Sequence, residues 1–213
     1  MRSMGSRRTL ELALLFGLGP ALLALVPRWT VSVGILAGGI VCGAVLGADP
    51  AVPRAAFSGL ADARRGLPRV LVRAAVVAAA LFAVAFAAGL PLLPRTQPRL
   101  WAVLMLLYPI SAYAQELAFR TFFFHRYAAL FPRPATRVLA SGLIFGWAHV
   151  AVNNVAGIVL ATAAGLAIAA TYERWRSTLL VTIEHALYGD LAFTAGLGAL
   201  FYSKARWVAG LGP

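Results

Sequence analysis

Seven long apolar runs constrain the fold of this chain more than any other feature of its sequence. An apolar helix needs about 20 residues to cross a hydrocarbon layer of about 30 Å. We therefore predict an all-α fold, a polytopic membrane helix bundle with about seven transmembrane helices. The predicted spans are residues 9–26, 29–48, 69–91, 100–124, 137–152, 154–172 and 178–201.

The composition supports a membrane protein. Hydrophobic residues make up 61% of the chain and charged residues 12%, whereas charged residues form about 25% of a soluble globular protein. The net charge of +12 does not indicate nucleic acid, because the arginines are scattered between the apolar runs and form no stripe. Such charges are typical topology signals that face anionic lipid head groups. We expect membrane lipids as partners and no nucleic acid.

The distribution of the basic residues predicts the orientation. Fourteen of the nineteen Lys and Arg residues lie in segments on the same side of the membrane as the N-terminus in the predicted layout. The positive-inside rule therefore places the N-terminus in the cytoplasm. The segment 55–65 has the spacing of an interfacial helix, and His125 beside Arg126 and Tyr127 is interpreted as an interfacial anchor. Ala- and Arg-rich usage with one lysine favours a multi-pass protein of a bacterial inner membrane.

Ionisable side chains inside the predicted spans are the functional candidates, because such residues are costly in hydrocarbon. They are Glu116 in the fourth span, His149 in the fifth, and Glu184, His185 and Asp190 in the seventh. The other four acids lie at segment ends or in loops, where a solvated or capping role is expected. Glu184 points about 100° away from His185 on a helix, so we expect it to be structural or to face a cytoplasmic water cavity.

A carboxylate and two imidazoles can activate a water molecule. Glu116 would accept the proton, and His149 would orient the water or protonate the leaving amine. His185 with Asp190 would support the oxyanion of the tetrahedral intermediate. Arg120, one helical turn after Glu116, would orient the carboxylate or neutralise it. The same i, i+4 pair also has a purely structural interpretation as an intrahelical ion pair.

Two other chemistries are considered for these residues. Glu116, His149 and His185 could ligate zinc, but the chain has no HExxH sequence, and Cys42, its single cysteine, excludes a cysteine-ligated site and an internal disulfide. Serine chemistry is less attractive, since G-x-S-x-G is absent. We expect no cofactor.

Three short motifs resemble one known family. "QELAFR" (115–120) is similar to its E-E-x-x-x-R motif, "FGWAH" (145–149) to F-x-x-x-H, and "HALYGD" (185–190) approaches H-x-x-x-N. The family is the CPBP intramembrane proteases (CAAX protease and bacteriocin-processing, or Abi), which include prenyl-protein endoproteases. The resemblance covers roughly residues 100–201. It implies a single membrane domain over 1–213, with N-terminal helices in 1–99 and a catalytic core in 100–201.

The resemblance also implies a chemistry. In the family a glutamate and histidines are thought to activate water for peptide cleavage, without a catalytic metal, in a site open to the cytoplasm. These roles would fall on Glu116, His149 and His185, supported by Arg120, Asp190 and Gln115.

The chain departs from the family pattern at two positions. Gln115 replaces the first glutamate, usually assigned as the general base, and an amide cannot accept a proton from water at neutral pH. Glu116 lies about 100° further round an ideal helix. Gly189 stands where the third motif has Asn, followed by Asp190. We predict a π-bulge or kink near residues 186–190 that brings Asp190 beside His185, which Gly189 would make easier.

The sequence therefore predicts an intramembrane endopeptidase that hydrolyses a peptide bond of a membrane-associated protein or peptide. The alternative is a catalytically weak or inactive relative that acts as a membrane binding or bacteriocin-immunity protein, which the loss of the first glutamate favours. A proton or solute carrier is a third interpretation, since Glu, His and Asp also build relays. The lack of inverted halves counts against it.

Overall fold

The computed structural model describes residues 2–26, 28–152 and 154–201, and these ranges contain helices and no strand. The α-helices are α1 (Arg2–Leu12), α2 (Gly19–Leu23), α3 (Arg28–Ala48), α4 (Leu60–Ala87), α5 (Leu93–Thr96), α6 (Pro98–Glu116), α7 (Phe123–Arg126), α8 (Pro134–Ala148), α9 (Val155–Trp175) and α10 (Thr178–Thr194). Two π-helical segments, Ala13–Leu18 and Leu117–Phe122, join α1 to α2 and α6 to α7. The prediction of an all-α, polytopic helical bundle is confirmed.

Five helical stretches among the described residues are long and apolar enough to cross a membrane. They are Thr30–Ala48, Arg54–Ala87, Pro98–Arg126, Pro134–Val152 and Val155–Trp175. The first and last predicted spans are largely helical but are not among these five. Residues 202–213, which include the basic Lys204 and Arg206 counted for the orientation, lie outside the described residues.

The predicted interfacial helix 55–65 does not form as a separate element. Arg54–Phe57 is a single 3-10 turn, and α4 begins at Leu60 after Gly59 adopts a left-handed conformation with φ of 57°. Backbone carbonyls of this turn bind the start of α10, because the hydroxyl of Ser177 donates to the carbonyl of Ser58 at 2.9 Å. This packing fixes the turn to α10, while Leu60 remains 51% exposed.

α10 lies among α4, α6 and α9, while α8 and α9 form a close pair. A Cβ atom at Gly142 of α8 would collide with Leu166 of α9, and one at Gly146 would collide with Thr162. Small residues four apart allow membrane helices to approach this closely. Phe145, between the two glycines, is 2% exposed and faces the interior of the bundle.

The aromatic run 122–124 is buried, so it contributes to core packing rather than to a lipid-facing surface. Phe16, from the first π-helical segment, packs edge-on against Phe119 of the second, with ring centroids 5.4 Å apart. The N-terminal helix therefore covers the helix that carries Glu116.

The interpretation of Tyr127 as part of an interfacial anchor is wrong, whereas the side chains of His125 and Arg126 are partly exposed. Tyr127 is fully buried, and its hydroxyl donates to Glu11 at 3.0 Å. Arg126 binds both oxygens of the same carboxylate, at 2.9 and 2.7 Å. His125 hydrogen bonds to Asp49 at 2.9 Å. These side chains find polar partners within the protein because the first helix and the loop after α3 fold against α7.

Candidate active site

Glu116 and His185 are joined by a direct hydrogen bond. Nδ1 of His185 lies 2.7 Å from Oε1 of Glu116, and the residues are 4% and 0% exposed. An ionised carboxylate only accepts hydrogen bonds, so Nδ1 carries the proton and donates it. Nε2 of His185 forms no hydrogen bond with the described residues. Glu116 is the last residue of α6, and the packing of α6 on α10 brings the two side chains together.

Arg120 completes a buried charged cluster. Its Nε lies 3.3 Å from Oε2 of Glu116, and neither side chain is exposed. Its Nη2 donates to the carbonyl of Gly165 at 3.1 Å, and its guanidinium lies 4.5 Å from the ring centroid of Phe145, a cation–π distance. The predicted ion pair is thus present, and it also ties α6 to α8 and α9.

The same cluster keeps unused hydrogen-bonding capacity. Among the described residues, Oε2 of Glu116 and two guanidinium nitrogens of Arg120 have no partner with hydrogen-bond geometry. Buried polar groups normally have such a partner.

The backbone leaves α-helical geometry directly after Glu116. Leu117–Phe122 is π-helical, and π-helical turns occur frequently at functional sites. The predicted bulge near residues 186–190 is wrong, because α10 is a regular α-helix from Thr178 to Thr194. On that helix Asp190 lies about 140° round from His185. No hydrogen bond joins the two in the part of the chain that the structure describes, and Oδ1 of Asp190 is buried without a partner there.

His149 reaches the cluster through an aromatic ring rather than through a hydrogen bond. It follows α8 and begins a 3-10 turn, and its Nδ1 donates to the carbonyl of Phe145 at 2.9 Å. The ring of Phe145 lies 4.9 Å from His149 and 5.2 Å from His185, measured between centroids. Both imidazoles therefore pack on one phenylalanine, although no hydrogen bond joins His149 to Glu116 or His185 within the described ranges.

Gln115 is occupied within its own helix. Its Nε2 lies 3.4 Å from the carbonyl oxygen of Ser111 and 3.3 Å from the hydroxyl of the same residue. The structure therefore presents Glu116, not the residue at the first motif position, to His185.

Glu184 faces the other side of α10, as the angle between neighbouring residues predicts. Its Oε1 lies 2.9 Å from Nη2 of Arg73 and accepts a hydrogen bond from the hydroxyl of Tyr188 at 2.6 Å. Arg73 also bonds to Thr171. Glu184 thus joins α10 to α4 and α9, and within the described residues it forms no hydrogen bond or ion pair with Glu116, Arg120 or His185.

Tyr108 is a site residue that the sequence motifs do not reveal. Its ring lies edge-on to His185 with centroids 5.7 Å apart. A Cβ atom at Gly189 would collide with the Tyr108 ring and hydroxyl, so Tyr108 takes the space that a side chain at position 189 would need. The available signal was indirect: a glycine in place of the motif asparagine leaves room for a large side chain from another helix.

Residues 96–189 match the family model described as Type II CAAX prenyl endopeptidase Rce1-like. The predicted family resemblance is confirmed. The match covers somewhat less than half of the chain and supports a CAAX-type intramembrane protease, a hydrolase. No curated protein and no solved structure matches the chain.

The Rce1-like segment holds the whole charged cluster. Glu116, Arg120, His149 and His185 lie within it, and Gly189 is its last residue. The segment and the apolar helices together support a membrane protein. Among the described residues, no three His, Cys, Asp or Glu side chains are grouped closely enough to hold a metal ion.

Proposed function

We propose that this protein is an intramembrane endopeptidase that hydrolyses a peptide bond of a membrane-associated protein or peptide. The observation that carries the proposal is the buried 2.7 Å hydrogen bond between Glu116 and His185 inside the Rce1-like segment. A carboxylate that holds Nδ1–H of an imidazole fixes the tautomer in which Nε2 is the basic nitrogen. We further propose a bacterial inner membrane as its location, with the N-terminus in the cytoplasm.

In this proposal His185 is the general base, and Glu116 positions it. Both oxygens of Glu116 face donors, since Oε1 binds His185 and Oε2 lies 3.3 Å from Arg120, whereas Nε2 of His185 is not engaged. Nε2 takes one proton from water as the water oxygen bonds to the substrate carbonyl carbon. The carboxylate then stabilises the imidazolium that forms. This assignment differs from the sequence-based prediction, in which Glu116 accepts the proton and His185 supports the oxyanion.

The tetrahedral intermediate needs a hydrogen-bond donor and a proton for the leaving amine. The hydroxyl of Tyr108, close to position 189, supplies the donor for the oxyanion in place of the family asparagine and of Asp190. Nδ1–H of His149 is held by the Phe145 carbonyl, so its Nε2 is an acceptor that orients the attacking water. The imidazolium of His185 then gives the proton that it took from water to the amide nitrogen as the C–N bond breaks, which releases an amine and a carboxylic acid that ionises in water. No metal ion takes part in these steps.

The test uses the purified full chain reconstituted in liposomes. The substrates are a synthetic peptide ending in a farnesylated Cys-aliphatic-aliphatic-X sequence and its unprenylated copy, and mass spectrometry measures release of the C-terminal tripeptide. We expect Glu116→Ala and His185→Ala to lower the rate by about 10²–10⁴-fold. Gln115→Ala is the matched control and should stay within about threefold of the wild type, because its amide is bonded only to Ser111.

Further arms separate the mechanisms. If His185 is the base, Glu116→Gln should retain more activity than Glu116→Ala, because an amide oxygen can still accept from Nδ1–H. Equal losses would return the base role to Glu116. Full activity in a zinc chelator is expected. A Glu116→Ala protein with the wild-type rate would exclude the proposal, and a wild type that cleaves neither peptide would favour the binding or immunity alternative.

A further inference from the structure

A basic groove lies between α4 and α9, and none of its lining residues belongs to the Glu116 cluster. It has a volume of about 390 Å³, and its walls include Arg69, Arg73, Arg174, Thr171 and Trp175. Three arginines in one groove give it a positive potential that attracts a counter-charge, although Arg69 and Arg174 are exposed to solvent.

The protein supplies only part of that counter-charge. Arg73 pairs with Glu184 at 2.9 Å. Arg69 and Arg174 form no ion pair with the described residues; their guanidinium carbons lie 5.9 and 5.4 Å from the ring of Trp175. The ring of Trp175 therefore lies within cation–π distance of two guanidinium groups that pair with no carboxylate within the described ranges. The groove keeps a net positive charge.

The groove opens at one end of the bundle. Arg174 and Trp175 are the last two residues of α9, and Arg69 lies in the N-terminal half of α4. Trp is enriched at the level of the lipid head groups, and basic pockets between transmembrane helices bind anionic head groups. An apolar stripe continues from the groove along α4, because Val72 and Val76 lie at i+3 and i+7 from Arg69 and are 67% and 65% exposed.

We propose that this groove binds the phosphate group of an anionic phospholipid. Arg69 and Arg174 hold the phosphate oxygens, since guanidinium groups match phosphate geometry. Arg73 also lines the groove and adds positive charge while it remains paired with Glu184. One acyl chain lies along Val72 and Val76. The site is separate from the proposed active site and does not depend on proteolysis.

Native mass spectrometry of the purified full chain in detergent tests the proposal. The chain is titrated with phosphatidylglycerol, with phosphatidylcholine and with inorganic phosphate. The wild type should bind phosphatidylglycerol more tightly than phosphatidylcholine, and Arg69→Gln/Arg174→Gln should weaken phosphatidylglycerol binding by about 30-fold. The matched control Arg64→Gln/Arg133→Gln removes the same charge from residues outside the groove and should bind like the wild type.

A charge-keeping variant guards against misfolding. Arg69→Lys/Arg174→Lys should retain most of the affinity, which would assign the loss in the glutamine variant to charge. Equal binding of phosphatidylglycerol by the wild type and the glutamine variant would overturn the proposal. Competition by inorganic phosphate as effective as that of the lipid would overturn the lipid assignment, because the groove would then bind a soluble anion.

Discussion

The imidazole of His185 and the carboxylate of Glu116 meet at 2.7 Å although 69 residues separate them in the chain. The contact joins α6 to α10 in a place that excludes solvent almost completely. The same carboxylate faces Arg120 at 3.3 Å. The burial of each of the three groups therefore depends on the other two. Removing one group leaves a charge buried without its partner.

Arg120→Ala should lower the free energy of unfolding by about 3–5 kcal/mol, because it leaves the charge of Glu116 buried and unpaired. Thermal and chemical unfolding in detergent measures the change. The control is Arg65→Ala, whose pair with Asp62 is 3.6 Å long and largely exposed and should contribute about 0.5 kcal/mol or less. Similar losses in the two variants would contradict a structural role for the buried cluster.

Gln115→Glu restores the family motif but should not raise the cleavage rate. Gln115 donates to Ser111 within its own helix, and a carboxylate cannot donate there. We expect a stability loss of about 1–3 kcal/mol from the lost donor at this buried position. The liposome peptide assay and thermal unfolding check the two expectations. A rate well above that of the wild type would show that position 115 faces the reacting groups.

The sequence predicted that Glu116 and His185 share a site, because both are ionisable residues inside predicted spans and both fall in motifs that resemble one family. The position of the distortion was not predictable. Gly189 offered a local reason for a bulge in α10, yet the π-helical turn lies at Leu117–Phe122, a segment without Gly or Pro. That segment is held by non-local contacts, such as Phe119 on Phe16 and Arg120 on Gly165.

The polar partners at the helix ends were missed for a related reason. An aromatic and basic group after a span is typical of an interfacial anchor, and nothing local shows that Glu11, more than a hundred residues earlier, reaches Arg126 and Tyr127. Only the docking of the first helix on α7 makes Tyr127 a core residue.

Gly189→Asn should destabilise the protein although it restores the family residue. The new side chain would enter the space of the Tyr108 ring, and such overpacking costs about 1–3 kcal/mol. Tyr108→Ala in the same chain should recover part of this loss by vacating the space. Melting temperatures of the two single variants and the double variant give the coupling. Strictly additive effects would mean that the two positions do not compete for one volume.

Tyr108→Phe should lower the rate constant for cleavage by about 10²–10³-fold, the usual effect of losing one oxyanion donor, with little change in melting temperature. The matched control is Tyr113→Phe on the same helix, whose hydroxyl donates to the carbonyl of Phe57 at 3.1 Å and should not affect the chemistry. Separate kcat and KM values from the liposome assay make the comparison. An unchanged kcat for Tyr108→Phe would show that the Tyr108 hydroxyl is not the oxyanion donor.

The pair of Asp49 and His125 predicts a pH-dependent contribution to stability outside the membrane. The hydrogen bond from His125, and next the backbone N–H of Ala51, hold the pKa of the Asp49 carboxyl below its ordinary value. A depressed folded-state pKa stabilises the fold above the unfolded-state pKa of about 3.9, and this contribution disappears as the pH falls through the folded-state value. The difference in melting temperature between the wild type and Asp49→Asn should therefore be present at about pH 5 and above, and shrink as the pH falls below about 4. A difference that stays constant or grows as the pH falls below about 4 would show that the carboxyl gains no stabilisation from His125.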